Sequence, residues 1–167
     1  MQTLITADAI ATRVQEMAAD IRRDHPTGVH LIGVLKGAYV FMADLTRAIG
    51  GDASLDFIAV SSYGSGMTSS GQVRLLKDLD SSIEGRDVVI VEDIVDTGLT
   101  LTYLQEVLRA RAPRRIRTAC LLSKPSRRKV NVPLDYVGFA IEDQFVVGYG
   151  LDYNERYRGL SCIAVVS

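Results

Sequence analysis

At 167 residues the chain fits one domain, or a domain with a small subdomain, able to bury on the order of 70% of its unfolded surface. Its composition, 47% hydrophobic and 23% charged with a net charge of -1, is that of a globular protein and gives no global push toward nucleic acid or membrane. No apolar run reaches membrane-spanning length, and Met1-Gln2-Thr3-Leu4 lacks the basic region and apolar core of a secretory leader, so the expected compartment is the cytoplasm.

Thr6 is placed to cap a first helix whose apolar residues Ile10, Val14, Met17 and Ile21 recur at spacings of four, three and four, and His25-Pro26-Thr27-Gly28 stops it. Val29 to Leu35 reads as a short apolar strand and Lys36-Gly37 as a turn. Phe41, Met42, Leu45, Ala48 and Ile49 mark the packed face of a second helix that ends at Gly50-Gly51. That helix, Ala38 to Ile49, offers either a subunit interface or, as is commoner for such a face, a core-directed surface. Leu55 to Ser61 is a further strand, and Gly64 to Gly71 is too polar and glycine-rich to pack, which predicts a mobile loop. Gln72 to Leu76 resumes strand character. After it come the β-branched run from Val88, a helix with the stripe Leu101, Leu104, Val107 and Leu108 that ends before Pro113, and a strand from Ile116 to Leu122. Tyr136 to Val166 alternates short apolar runs with polar loops. Cys120 and Cys162 have no metal or redox spacing, which favours reduced thiols over a disulfide, and His25 and His30 look structural, one at a helix end and one at a strand start.

Strands alternating with helices predict an α/β fold: a mainly parallel twisted sheet flanked by helices, with ligands bound at the carboxyl ends of the strands. Lys36-Gly37, the end of the run from Val88, and Lys124 after the strand Ile116 to Leu122 all fall at such ends, so three separate segments converge on one crevice.

The central segment is Val88-Val89-Ile90-Val91-Glu92-Asp93-Ile94-Val95-Asp96-Thr97-Gly98-Leu99-Thr100. Its apolar part is that of a strand buried on both faces. The Thr-Gly-x-Thr turn opens a helix whose first free N–H groups carry partial positive charge, so Thr97, Gly98, Leu99 and Thr100 form an anion site. Glu92, Asp93 and Asp96 alone would repel a phosphate. Their presence predicts a ligand with phosphate at one end and hydroxyls, Mg²⁺ or a proton at the other. Helix capping uses such residues too, but a cap needs one acid near the helix start, not two more on the strand before it.

The pattern of apolar strand, two acids, two apolar residues, Asp-Thr-Gly, one residue and Thr resembles the phosphoribosyl-pyrophosphate signature of the type I phosphoribosyltransferases. With Leu35-Lys36-Gly37, Ser62-Tyr63, Lys124-Pro125 and the stretch Gln144 to Glu155 in the same order, the chain is similar to the hypoxanthine-guanine branch of that family from about Leu31 almost to its end.

The resemblance implies a single domain, with a core roughly 29–133 and a small hood subdomain built from chain-terminal segments, the N-terminal segment and roughly 134–167. It implies Mg²⁺-dependent transfer of the 5-phosphoribosyl group from phosphoribosyl pyrophosphate to N9 of hypoxanthine or guanine. By the same likeness Asp96 is the catalytic acid or base at the purine N7. Asp96, Thr97, Gly98, Leu99 and Thr100 hold the 5-phosphate, and Glu92 and Asp93 the ribose hydroxyls. Leu99 stands where relatives often carry a polar or basic residue, but only its N–H is needed. Lys124, Phe145, Val146, Leu151 and Asp152 line the purine, with Lys124 donating to the exocyclic O6. Lys36, Gly37 and Arg158 meet pyrophosphate; Glu92, Asp93 and Asp152 are the metal ligands; Ser62 and Tyr63 belong to a loop that closes over the site. No nucleic acid or membrane partner is expected, and the likeness suggests a homo-oligomer, dimer or tetramer. The competing readings are a nucleotide-sensing RNA-binding regulator, which the basic run from Arg109 to Lys129 supports, and a xanthine- or adenine-preferring transferase.

Overall fold

The computed structural model describes residues 1–62 and 73–167. Tyr63 and the segment Gly64 to Gly71, expected to form a mobile loop, lie outside the described residues. In chain order the elements are β1 (Gln2–Ile5), α1 (Ala7–Asp24), β2 (Val29–Leu35), α2 (Tyr39–Ile49), β3 (Ala53–Ser62) and β4 (Val73–Lys77). They are followed by β5 (Asp87–Val95), α3 (Leu99–Arg109), β6 (Arg115–Ser123), β7 (Tyr136–Ala140), β8 (Val146–Val147) and β9 (Ile163–Val165).

Six strands form the main sheet in the order β4-β3-β2-β5-β6-β7, in which only β4 runs antiparallel to its neighbour. Side chains alternate across a strand, so the β-branched run of β5 supplies both faces. Val89 and Val91 join Leu31, Leu121 and the apolar residues of α1 and α2, while Val88 and Ile90 join Ile32, Ile58 and the stripe of α3. A strand covered on both sides has no polar face, which is why its sequence is continuous rather than alternating. Thr6 accepts the Ala9 N–H (3.1 Å) at the start of α1, and α2 turns Phe41, Met42, Leu45 and Ile49 into the core. On α3 the buried stripe is Leu101, Leu104 and Leu108 with Gln105, while Val107 is only partly covered. Gln105 is buried because its amide donates to Thr118 Oγ1 (2.9 Å) and to the Pro133 carbonyl (3.1 Å).

A second, three-stranded antiparallel sheet, β1-β9-β8, joins the two chain ends. β1 was not expected from sequence: three of its four residues are exposed and only Ile5 is buried, so no alternation announces it. β7 is an edge strand of the main sheet, parallel to β6, and the small sheet is built from β1 and from residues after β7. Arg13 of α1 fixes β7 by donating to the Val137 and Gly138 carbonyls at 2.7 and 3.0 Å.

Both cysteines are free, and burial pushes the Cys120 thiol up to about 12. Among the described residues no helix is long and apolar enough to cross a membrane.

Leu104 is fully buried between α3 and the sheet. Leu104→Ala is therefore expected to lower stability by about 2–5 kcal/mol in urea unfolding, while the variant that remains folded keeps the main-chain turn before α3.

Candidate active site

Three strands deliver the site. The central one, β5, is still paired with β6 at Glu92, Ile94 and Val95, so the two acids lie within the strand rather than beyond it. Glu92 is 8% exposed, and its carboxyl is held well above the usual range, first by burial and then by the neighbouring Asp93 charge. Asp93 rises to about 6 through burial, partly offset by the hydrogen bond that its Oδ1 accepts from the Ile94 N–H (2.6 Å).

After Val95 the chain turns through Asp96 and Thr97 into α3. Gly98 caps that helix in the left-handed conformation, φ 87°. A Cβ there would also press on Val132 Cγ1 at 3.0 Å and Val130 Cγ2 at 3.2 Å. The turn encloses a small cavity of about 100 Å³ lined by Glu92, Ile94, Val95, Asp96, Thr97, Gly98, Thr100 and Leu101. Its outline is held from outside the signature. Arg128 donates to the Val95 and Asp96 carbonyls (3.2 and 2.8 Å) and to Ser123 Oγ (2.6 Å), and the Lys129 N–H donates to the Thr97 carbonyl (2.9 Å).

On one side of β5 lies the turn after β2, where the Leu35–Lys36 peptide bond is cis. Gly37 packs directly on Asp93: a Cβ at Gly37 would stand 1.8 Å from Asp93 Oδ2. The Gly37 carbonyl in turn abuts Gly150, whose added Cβ would fall 2.2 Å from that oxygen. This brings in the loop after β8. Arg158 donates to the Gly150 carbonyl (2.7 Å) and pairs with Asp152 (3.4 Å) and Glu155 (3.3 Å). Asp152 accepts the Glu155 N–H (2.8 Å), and Lys36 reaches Glu155 at 3.6 Å. Asp93 feels both the Arg158 and Asp152 charges. Lys36, Gly37, Asp93, Asp152 and Arg158 therefore form one corner, as the sequence suggests.

On the other side, Lys124 follows β6 with its N–H bonded to the Val95 carbonyl (2.9 Å) and is only 7% exposed. Its ammonium pairs with Asp143 (3.5 Å), and Arg127 links Asp96 (2.9 Å) to Asp143 (3.7 Å). Phe145 is 53% exposed, its ring edge-on to Tyr153 with centroids 5.6 Å apart. The Phe145 carbonyl accepts the Val166 N–H (2.9 Å) where β8 pairs with β9. By the alternation of an antiparallel ladder, the main-chain groups of the next residue, Val146, face the free edge of the small sheet. Leu151 packs against the main core, its main chain paired with Gly148. Ser62 ends β3 opposite Val73.

Sequence reasoning missed four polar residues of this region: Arg127, Arg128, Asp143 and Glu155. Each acts on another protein group, so no motif marks it. The competing RNA-binding reading rests on the basic run from Arg109 to Lys129, which the fold disperses. Arg111 pairs with Asp78, Arg114 and Arg115 with Asp87, Arg117 with Asp24 and Arg127 with Asp96, while Arg128 is spent on carbonyls. Another cavity, of about 290 Å³, lies at the opposite, amino-terminal end of the strands beside His30, Ser54, Arg86, Asp87 and Arg114. There Arg114 pairs with Asp87 at 2.6 Å and Arg86 donates to the Ser54 hydroxyl at 2.9 Å, contacts that suit a structural role. Among the described residues no three His, Cys, Asp or Glu side chains converge as a ready-made metal cage.

The family model of the phosphoribosyl transferase domain matches residues 2–154. The chain is 50% identical to the hypoxanthine-guanine phosphoribosyltransferase of Bacillus subtilis over 99% of this chain and 92% of that one. It is 46% identical to the hypoxanthine phosphoribosyltransferase of Escherichia coli, covering 99% and 95%. A crystal structure of a Bacillus anthracis hypoxanthine-guanine phosphoribosyltransferase with HEPES in its active site superposes with a TM-score of 0.95 at 46% identity, covering 100% of this chain and 99% of that one.

Two outcomes test the geometry. Asp93 holds a proton in the folded chain up to about pH 6, whereas an unfolded carboxyl loses it near pH 4, so stability falls as pH rises through that window. Asp93→Asn removes this slope: its melting temperature should exceed that of the parent above about pH 6 and converge with it below about pH 4. Gly37→Ala places a methyl on the Asp93 carboxylate and should abolish most turnover while circular dichroism stays unchanged; a fully active Gly37→Ala would show that the turn need not touch Asp93.

Proposed function

The chain belongs to the phosphoribosyl transferase domain family, and from that premise we propose that it is a hypoxanthine-guanine phosphoribosyltransferase of purine salvage. The observation that carries the reading is the joint placement of an amide cradle with an acid, Asp96, and a buried ammonium, Lys124, on one flank and the Gly37–Asp93–Arg158 corner on the other. A ligand that is phosphate at one end, sugar in the middle and diphosphate beyond fits that sequence of groups.

In this reading the N–H groups of the Asp96 to Thr100 turn bind the 5-phosphate. Glu92 and Asp93 hold the ribose hydroxyls, Arg158 and the main chain at Lys36-Gly37 hold the pyrophosphate, and Phe145 stacks on the purine, with Val146 supplying main-chain contacts and Leu151 apolar packing. Lys124 donates to O6 of hypoxanthine or guanine; the amino group of adenine offers it no acceptor, which is the basis of base selection. Asp96 takes up or returns the N7 proton as N9 attacks the anomeric carbon with inversion. The sugar is cation-like at that stage, and the nearby carboxylates stabilise it. Ser62 and Tyr63 belong to the segment assigned to closure, which excludes water from the activated sugar.

The donor set suits Mg²⁺, a hard cation that keeps most of its shell from water and substrate oxygens, so a few carboxylates are enough. Among the described residues Glu92 and Asp93 have no ion-pair partner; they would hold Mg²⁺ near the ribose hydroxyls and Asp152 would hold it on the pyrophosphate side, where its chemistry would be neutralisation of the leaving diphosphate. We place the protein in the cytoplasm, consistent with its two free thiols, and assign it a homo-oligomeric state. The apolar face of α2 is used in the core, so any subunit contact draws on other surfaces.

The test is pyrophosphate release with phosphoribosyl pyrophosphate, Mg²⁺ and a panel of hypoxanthine, guanine, xanthine, adenine and uracil. Turnover is expected with the first two and not with adenine or uracil. Asp96→Asn should lower kcat by about 10²–10⁴ with an unchanged fold; a parental rate would remove Asp96 from proton transfer, and RNA affinity without turnover would replace the enzymatic reading altogether.

A further inference from the structure

Lys124 and Asp96 are the two side chains assigned to reading the purine, and they come from different strands. A chain of alternating charges joins them: Lys124 Nζ to Asp143 Oδ1 (3.5 Å), Asp143 Oδ2 to Arg127 Nη1 (3.7 Å), and Arg127 Nε donating to Asp96 Oδ1 (2.9 Å). Asp143 sits in the loop between β7 and β8, and Arg127 in the single turn of 3₁₀ helix that follows Lys124. Three separate segments are therefore stitched at one point.

The Lys124 side chain is 9% exposed, and Asp143 is its one ion-pair partner among the described residues. An ammonium on a four-carbon stem has many rotamers and three N–H donors. Contact with Asp143 selects among those rotamers and engages one face of the ammonium, leaving the remaining donors free for an acceptor in front of it. Arg127 does the same for Asp96, whose carboxylate is otherwise half exposed and free to rotate. Asp143 touches both cations with different oxygens, so it fixes the spacing between the acid and the ammonium rather than either alone.

We propose that Asp143 is a positioning residue for 6-oxopurine recognition, holding Lys124 directly and Asp96 through Arg127. The inference rests on the purine reading above and adds a residue that touches no substrate. It predicts an effect confined to the base, because the phosphate cradle and the pyrophosphate corner are built from other groups.

The experiment is steady-state kinetics on the parent, Asp143→Asn, Asp143→Glu, Arg127→Gln and the Asn/Gln double variant, varying hypoxanthine and phosphoribosyl pyrophosphate in turn. Asp143 is half exposed, so its substitution opens no core, and thermal melts on each variant check this. Asp143→Asn should raise the KM for hypoxanthine by about 5- to 20-fold and, through Asp96, lower kcat several-fold, with the KM for phosphoribosyl pyrophosphate within about twofold. Glu should recover most of the loss. Arg127→Gln should shift the same constant in the same direction, and the double variant should be no worse than the worse single one, since both cut one chain. An unchanged KM for hypoxanthine in Asp143→Asn, an equal rise in the KM for phosphoribosyl pyrophosphate, or multiplicative losses would overturn the proposal while parental turnover leaves the purine reading standing. A parent inert toward hypoxanthine and guanine would sink both.

Discussion

Two adjacent carboxylates, Glu92 and Asp93, are held in the covered end of the central strand, and among the described residues neither has a lysine or arginine at ion-pair distance. Burying such groups without partners is costly, and the protein responds by raising their affinity for protons. The opposite end of the same strand shows that the fold is able to avoid the cost. Asp87, as buried as Glu92, is met by His25 (3.2 Å), Arg114 (2.6 Å) and Arg115 (3.3 Å). Burial works to raise its carboxyl, yet the hydrogen bonds from His25 and Arg114 and the arginine charges hold it below the usual range. Among the described residues one strand thus carries an ion-paired acid at its amino end and two acids without ion pairs at its carboxyl end. In the proposed reading the first is structural and the second binds a ligand that brings hydroxyl donors and a cation with it.

The rest of the site is arranged around that deficit without relieving it. Gly37 approaches Asp93 closely but offers backbone, not charge. Arg158 acts on Asp93 at long range while its hydrogen bonds and ion pairs go to Gly150, Asp152 and Glu155. Arg128, which could have neutralised an acid, is committed to the carbonyls that shape the turn before α3. The protein's cations are therefore used to build walls, and the charge at the centre remains available to the ligand.

The main sheet was largely legible in the sequence because burial on both faces leaves an unbroken apolar run: Val29 to Leu35 is read to the residue, and Val88 onward marks the centre of the sheet. The signature turn was legible for the same kind of reason, since it combines a glycine at positive φ with acids in an otherwise apolar strand. The small sheet was harder to read. β8 has two residues and β9 three, too short for any period to show, and β1 is exposed along most of its length. Arg127 and Asp143 were hidden by chemistry rather than by length. A charged residue that steadies another charged residue looks, in sequence, like any solvated one, and only the fold reveals which of the nearby cations is paired with Asp96.

The small sheet is nevertheless no appendage. Three antiparallel strands of four, two and three residues cannot stabilise themselves, and they do not have to. Ile5, Val146, Tyr149 and Ile163 belong to the same apolar cluster as α1, α2 and the inner face of β5, and the Tyr149 hydroxyl donates to Asp44 of α2. The hood is thus a continuation of the core that also carries Glu92 and Asp93. Because Asp152 and Arg158 hang from it while the phosphate turn hangs from β5, a ligand spanning both is bound by two parts of one packed unit. The distance between cradle and corner is then set by core packing, and a sugar diphosphate of fixed length can be held at both ends without either part having to be drawn into place.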